Sequence, residues 1–154
     1  CKSVNLWRKY YYMLITVDSK NSSLLNEKCH KIEDIKLIKK EIGKLKKVSK
    51  KYNCLGLAFP QIGIPKSGFI AKLQSKWEIV LNPEITRMGN LKINYNESCL
   101  SVPDFTIQTT RPRKISVRYF NEDGKIIEKT LTGLDAVVFQ HEYDHLKGIL
   151  INQL

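Results

Sequence analysis

The sequence predicts a single α+β domain in which short, mostly antiparallel strands surround a central helix near the end of the chain. Three observations support this class. Residues 33–52 have the apolar spacing of an amphipathic helix, residues 134–145 form a second helical segment, and about six short strand-like runs lie between them. Strands that are grouped together, rather than alternating regularly with helices, are typical of α+β domains.

Residues 33–52 are the clearest helix of the sequence. Their apolar side chains recur every three or four residues, which places them on one face. Glu33 and Asp34 stand at the start and Lys50 and Lys51 at the end, where each charge suits the helix dipole. The other face carries a stripe of lysines, called the lysine face below: Lys36, Lys39, Lys40, Lys44, Lys46 and Lys47.

The predicted strands are short apolar runs bounded by turn residues. Asn82-Pro83 is predicted to close the second of them, and Asn121-Glu122-Asp123-Gly124 to form a hairpin turn, because Asp-Gly tolerates the positive φ that such a turn needs. The predicted strands are residues 68–73, 77–81, 91–95, 114–120 and 125–131.

The second helix, residues 134–145, carries the most informative motif, Gln140-His141-Glu142-Tyr143-Asp144-His145. Thr132 or Asp135 is a candidate cap or first-turn acid. His141 and His145 are four residues apart and share one helix face, so they could bind one metal ion with Glu142 beside them as a general base. A catalytic site of this kind usually has three protein ligands.

The composition is that of one soluble domain with an unusual charge. The chain has 154 residues, 42% of them hydrophobic, and a formal charge of +11, which favours acidic partners such as nucleic acid. No apolar run approaches the ~20 residues of a membrane helix.

We assign residues 13–154 to the domain and treat residues 1–12 as an N-terminal extension upstream of a candidate start at Met13. That extension lacks the features of a signal peptide, which indicates a reducing, cytoplasmic location.

The third metal ligand must lie upstream, because residues 146–154 contain no His, Cys, Asp or Glu. The candidates are His30, the cysteines and many carboxylates. Asp144 lies about 100° around the helix from His145, which suits a residue behind the ligands better than a ligand. Cys99 is the most interesting candidate, because a thiolate binds soft or borderline metals.

Three segments together resemble the peptide deformylase family. Gly56 to Gln61 (Gly-Leu-Ala-Phe-Pro-Gln) is similar to the family's Gly-φ-Ala-Ala-x-Gln segment. Glu97-Ser98-Cys99-Leu100-Ser101 is similar to Glu-Gly-Cys-φ-Ser, and Gln140 to His145 is similar to Gln-His-Glu-φ-Asp-His. The order and spacing agree, and weaker similarity extends over roughly residues 24–154. A lone HExxH is a moderate signal, whereas three ordered motifs are a strong one.

The resemblance implies a metal-dependent enzyme that removes the N-formyl group from the initiator methionine of nascent polypeptides and releases formate. Its ligands would be Cys99, His141 and His145, and its metal Fe(II) in the cell, with zinc or nickel common in purified protein. Glu142 would be the acid–base group. The side-chain amide of Gln61 and the backbone N–H of Leu100 would stabilise the oxyanion.

The remaining expected site residues concern substrate binding and support of the ligands. Glu97 and Arg111 match an ion pair that would steady the Cys99 segment, with Asp144 also behind the ligands. Gly56 would let substrate backbone approach closely. The predicted pocket walls, suited to a methionine side chain, are Leu55, Val137, Val138 and His141, with Ser98 also at the substrate.

The sequence departs from the family pattern at several positions. Ser98 replaces a Gly, which would narrow the cleft or bond substrate backbone, and Phe59 replaces a small Ala beside Gln61. Cys54 stands where the family usually has Gly and is interpreted as a packed small residue.

The chain ends at Leu154, where many bacterial members continue into a helix that docks on the ribosome. This suggests a short, phage-borne form, cytoplasmic in a bacterium or an infected host cell, with the lysine face as an alternative ribosome contact.

Two other functions compete with the deformylase hypothesis. An HExxH metalloprotease fits the two histidines, but the missing downstream ligand and the cysteine motif argue against it. A non-catalytic, basic relative that binds the ribosome or RNA fits the charge, but intact Glu142, Gln61 and ligand positions argue against that function. No DNA or membrane partner is expected.

Overall fold

The computed structural model describes residues 14–154, so the predicted extension over residues 1–12 and the candidate start at Met13 lie outside the described residues. The α+β prediction is confirmed. Neither α-helix within the described range is long and apolar enough to cross a membrane. The elements are β-strands β1 (Gly56–Ala58), β2 (Gly68–Leu73), β3 (Lys76–Met88), β4 (Lys92–Cys99), β5 (Val102–Pro112), β6 (Lys114–Phe120) and β7 (Ile126–Thr132), with helices α1 (Lys39–Tyr52) and α2 (Leu134–Leu146).

The strands form two antiparallel sheets, between which α2 is held. Five strands pair in the order β1-β2-β3-β6-β7, and β4 pairs only with β5 in a long hairpin. Helix α2 packs against β1, β2 and β7 and also contacts β5. Phe139 of α2 meets Phe69 of β2 edge to face, with ring centroids 5.1 Å apart, and both are fully buried. This packing fixes the helix that carries the HExxH motif.

Helix α1 begins later than the sequence predicts. Asp34 accepts a hydrogen bond from the backbone N–H of Lys36 at 2.8 Å and starts a 3-10 turn over Ile35–Ile38, so the α-helix begins only at Lys39. Its predicted apolar face is buried, with Leu45 fully enclosed. The helix ends at Tyr52, and the left-handed φ of 47° at its C-cap, Asn53, redirects the chain towards β1.

The prediction that Asn82-Pro83 ends a strand is wrong. Strand β3 runs through these residues to Met88, and its register against β6 shifts between Leu81 and Glu84. Asn82 adopts a φ of 47° at this bulge, and its side-chain amide exchanges two 2.8 Å hydrogen bonds with the backbone of Ile32. A bulge tolerates proline because no ladder hydrogen bond from its nitrogen is needed there.

Of the predictions for the β6–β7 hairpin and for the start of α2, the first is confirmed and the second only in part. Strands β6 and β7 pair as predicted, and the Asn121 side chain accepts hydrogen bonds from the N–H groups of Asp123 and Lys125. Thr132, however, is the last residue of β7 and not a helix cap. The N-cap of α2 is Gly133, at a φ of 58°, while Asp135 does lie in the first turn.

Candidate metal centre and pocket

Two secondary-structure elements bring three metal-ligating side chains together. Helix α2 places the rings of His141 and His145 one turn apart, with centroids separated by 5.0 Å. Cys99 ends β4 at a register shift against β5, and its Sγ lies 3.3 Å from Nε2 of His145. One ligand atom from each of the three residues lies within 4.8 Å of the other two. The cluster has the dimensions of a single-ion site.

The chemistry of these donors fits a divalent metal. One thiol and two imidazoles suit zinc and other borderline first-row metals, and three protein ligands leave a position open. Nδ1 of His141 lies 2.7 Å from Oε2 of Glu97, which leaves Nε2 of this ring for the cluster. Burial lowers the pKa of His145 well below its usual value, which favours the neutral imidazole that can bind a metal ion.

A buried ion-pair network supports the three side chains of the cluster from behind. Arg111 donates to both carboxylate oxygens of Glu97, from Nε at 2.5 Å and Nη2 at 3.0 Å, and from Nη1 to Asp144 at 2.8 Å. Thr109 also donates to Glu97. Burial alone would raise the pKa of Glu97, but the hydrogen bonds with His141, Arg111 and Thr109 lower it to about 2. A single arginine therefore links β4, β5 and α2 behind the cluster.

Glu142 faces the pocket as a buried carboxyl group. Within the described part of the chain its Oε2 is buried and has no hydrogen-bond partner. Burial raises the pKa of Glu142 to about 7, with the Glu97 charge also raising it and His141 opposing the shift. A carboxyl group that titrates near neutral pH can both accept and donate a proton.

Gly56 has a structural role that the sequence does not reveal. A Cβ added at this position would overlap the carboxyl group of Glu142, lying only 2.7 Å from its Cδ. Glycine therefore leaves room for the Glu142 side chain. Gly56 also lines the pocket, where the sequence predicts it to meet substrate backbone.

Gln61 is buried and its orientation is fixed by neighbours on both sides. Its Oε1 accepts from the backbone N–H of Ala58 at 2.8 Å, and its Nε2 donates to Oγ of Ser101 at 3.1 Å. The same Nε2 lies 3.7 Å from Sγ of Cys99, so the amide nitrogen faces the cluster. Leu100 follows Cys99 in the turn before β5 and also lines the pocket.

A pocket of about 700 Å³ opens at the cluster. Every predicted wall residue lines it, and so does Ser98, whose side chain is exposed opposite Thr106. Sequence reasoning missed a second wall, contributed by the β4–β5 hairpin, because it did not predict β5. That strand alternates polar residues with few apolar ones, so its pattern is weak. The missed wall residues of the hairpin are Tyr95, Asn96, Val102, Pro103, Asp104, Phe105 and Thr106.

Several other residues do not reach the cluster. His30 forms an isolated bridge with Lys66, and Cys29 is buried in the main core. Cys54 lines the pocket but points its thiol towards the carbonyl of Ser49 at 3.7 Å. Phe59 is fully buried. A Cβ at Gly68 would lie 2.8 Å from its ring, so this glycine makes room for Phe59.

The fold and this site define an α+β domain of the HExxH metalloprotein class. A family model described as polypeptide deformylase matches residues 13–153, and the chain therefore belongs to the polypeptide deformylase family. A cysteine-and-two-histidine cluster and an adjacent glutamate agree with the metal dependence of that family.

Individual relatives give the same result. The chain is 44% identical to a peptide deformylase of Aquifex aeolicus (strain VF5), in a match covering 62% of this chain and 59% of the relative. A deformylase of Thermotoga petrophila is 41% identical, over 65% and 61% of the two chains. The matched part thus spans about three fifths of the length of these curated relatives.

Solved structures match over more of the chain. The crystal structure of peptide deformylase from Thermotoga maritima superposes with a TM-score of 0.85 at 32% identity, covering 92% of this chain and 95% of that one. The crystal structure of a probable peptide deformylase from synechococcus phage S-SSM7 superposes with a TM-score of 0.83 at 33% identity, covering 92% of this chain and 97% of that one.

Proposed function

We propose that this protein hydrolyses the N-formyl group from the N-terminal formylmethionine of nascent polypeptides and releases formate. The observation that carries this proposal is the convergence of Cys99, His141 and His145 beside the buried carboxyl group of Glu142. Family membership and the order of the three motifs support the same substrate. The net reaction adds water across the formyl C–N bond, giving formate and a free amine.

The ligand set would hold one divalent ion through Sγ of Cys99 and one ring nitrogen of each histidine. When bound, such an ion supplies Lewis acidity that lowers the pKa of a water and polarises a carbonyl. The chain's own contribution is the fixed position of His141, which is held by its contact with Glu97.

Glu142 and Gln61 take the proton-transfer and electrostatic roles. Glu142 accepts the proton of the attacking water and then donates it to the leaving nitrogen, which a pKa near neutrality favours. Gln61 donates from Nε2 to the developing oxyanion, together with the backbone N–H of Leu100. The contact from Ala58 to Oε1 of Gln61 holds that amide in the required orientation.

The methionine side chain would enter between the apolar walls of the pocket. Val137 and Val138 of α2 supply one wall, and Leu55 before β1 supplies another. Leu55 is about half exposed, at 48%, so a bound side chain would cover it. Burial of apolar surface on both partners favours an unbranched hydrophobic residue at this position.

The test is formate release from formyl-Met-Ala-Ser by protein purified anaerobically and loaded with Fe(II) or nickel. We expect turnover of this peptide and none of acetyl-Met-Ala-Ser, whose larger acyl group is the matched control. Absence of turnover by fully metallated protein would overturn the proposal. Cleavage of internal peptide bonds would instead support the metalloprotease alternative.

We further propose that Fe(II) is the metal in the cell and that zinc or nickel can replace it. A cysteine and two histidines bind all three ions, and affinity alone favours nickel and zinc over iron. Protein purified without oxygen should contain iron and lose activity in air. Protein that retains full activity and contains only zinc under both conditions would contradict the iron assignment.

The proposed macromolecular partner is the ribosome, in the cytoplasm where formylated chains are made. The lysine face supports this idea, because Lys36, Lys40 and Lys47 are exposed on a chain of net charge +11. Helix α1 also ends beside the pocket, since Tyr52 and the residues that follow line it. A partner bound to this helix would therefore lie close to the pocket.

Co-sedimentation with ribosomes tests the lysine face. Lys36→Glu/Lys40→Glu/Lys47→Glu should reduce ribosome binding at low salt, because the phosphate contacts would be replaced by repulsion. The matched control reverses the same number of exposed lysines outside α1: Lys28, Lys92 and Lys114. Equal binding by both variants would show that only net charge matters and would remove the lysine face from the proposal.

A further inference from the structure

The pocket extends from the cluster of Cys99, His141 and His145 along the β4–β5 hairpin. Residues of α2 and of the segment before β1 line one part of the pocket, and Asn96, Asp104 and Thr106 of the hairpin line another. A peptide whose formylmethionine occupies the first part must continue outwards, and the hairpin is the remaining wall of the same pocket. The residues after methionine would therefore meet hairpin side chains.

The charge of this pocket is opposite to that of the whole molecule. The chain carries 26 Lys and Arg residues against 15 Asp and Glu, yet no Lys or Arg from residues 14–154 lines the pocket. Its acidic wall residues are Glu97, Asp104 and Glu142. Substrate in this pocket thus meets a locally acidic surface.

Asp104 is the acidic wall residue to which the proposed mechanism assigns no role. Glu97 is buried and bound to Arg111 and Thr109, and Glu142 is enclosed beside the ligands. Asp104 is exposed, and over residues 14–154 its carboxylate has no hydrogen bond or ion pair. An exposed carboxylate at a pocket wall is available to a cation on the ligand.

The backbone holds Asp104 in a defined place. It adopts a left-handed φ of 58° near the start of β5, two residues after Val102, which is buried and pairs with Cys99. Aspartate and asparagine tolerate this conformation better than other side chains with a Cβ. Asn is therefore a substitution that removes the charge while keeping the size and the backbone.

We propose that Asp104 makes the pocket prefer formylmethionyl peptides with a lysine or arginine among the residues that follow methionine. The proposal rests on the deformylase function proposed above and adds a specificity-determining residue to it. Asp104 selects the substrate by attraction of opposite charges and takes no part in the bond-breaking step.

The kinetic test compares formyl-Met peptides with Lys, Gln or Glu at the second, third or fourth residue. At one position or more, kcat/KM should be about two- to fivefold higher for Lys than for Gln, the range of one exposed ion pair, and lower still for Glu. Added salt should shrink the difference. Asp104→Asn should bring the ratio of kcat/KM for Lys and Gln peptides to about one, and Asp104→Lys should reverse the preference towards Glu.

A binding measurement separates this proposal from the proposed reaction. In the Glu142→Ala background, calorimetric titration of the same peptides into nickel-loaded protein should give tighter binding of Lys than of Gln peptides, removed by Asp104→Asn. Equal affinities for Lys and Gln peptides would overturn the role of Asp104, whatever the activity. Failure of the reaction itself would appear instead as no turnover of the Gln peptides by wild-type protein.

Discussion

Arg111 and Glu97 form a buried, bidentate ion pair directly behind the cluster of Cys99, His141 and His145. The guanidinium meets the two carboxylate oxygens at 2.5 and 3.0 Å, and both side chains are less than a tenth exposed. The same carboxylate contacts Nδ1 of His141, and the same guanidinium reaches Asp144. The pair therefore joins the hairpin that carries Cys99 to the helix that carries both histidines.

Arg111→Ala should weaken both metal binding and folding. Loss of a group that orients a ligand typically reduces metal affinity by about 10–100-fold. Removing one partner of a buried ion pair leaves an uncompensated charge and costs about 3–5 kcal/mol of unfolding free energy. Competitive chelator titration and urea unfolding measure the two effects.

The control for this variant is Arg118→Ala. Arg118 pairs with Glu128 at 3.4 Å on the surface, with side chains 50% and 69% exposed. Such a pair contributes about 0–1 kcal/mol, so this change should leave stability and metal affinity nearly unaltered. Equal effects of the two substitutions would contradict the supporting role of Arg111.

Glu142→Ala should lower kcat by about 10²–10⁴-fold and leave metal content at one ion per chain. The carboxyl group lies beside the cluster but belongs to none of its three ligands, so its loss removes proton transfer and not the ion. Metal analysis of the purified variant together with its turnover rate checks both parts. A variant that lost its metal would show that Glu142 acts as a ligand.

Cys99→Ala should give protein that folds but retains little metal. Sγ of Cys99 contributes the only thiol donor of the cluster described here, and two imidazoles alone bind divalent ions more weakly. Cys29→Ala is the matched control, because Cys29 is also buried but lies in the core. Stoichiometric metal in the Cys99 variant would count against its ligand role.

Phe59 and Gly68 should behave as a coupled pair in stability measurements. Gly68→Ala places a Cβ 2.8 Å from the Phe59 ring and 3.0 Å from Leu81, an overpacking that costs about 1–3 kcal/mol. Phe59→Ala leaves a cavity that costs about 3–5 kcal/mol. The double variant should be more stable than the sum of the two losses predicts, because each change makes space for the other.

Gly43→Ala is the control for the added methyl group. Apart from its own helix backbone and chain neighbours, no atom of residues 14–154 lies within 4 Å of a Cβ built at this position in α1, so the substitution should stabilise the protein by about 0.5–1 kcal/mol. Urea unfolding of the four variants and the wild type gives the comparison. Strict additivity of Phe59→Ala and Gly68→Ala would disprove the coupling.

Local patterns were sufficient wherever residues near in sequence decide the structure. The spacing of Ile42, Leu45 and Val48 indicated the buried face of α1, and Asp123-Gly124 indicated the β6–β7 turn. His141 and His145 are brought together by the helix period alone. These features depend on contacts within a few residues, so a single sequence contains the information.

Tertiary structure decided the features that depend on partners far along the chain. Asn82 does not end a strand, because its amide can bind Ile32 at a bulge, and β5 is a strand only because β4 pairs with it. The family resemblance implies the Glu97–Arg111 pair, but the contact of Arg111 with Asp144 of α2 and the position of Asp104 depend on that hairpin. The sequence by itself determined the fold class and the donor types; packing of the hairpin against α2 determined how those donors meet.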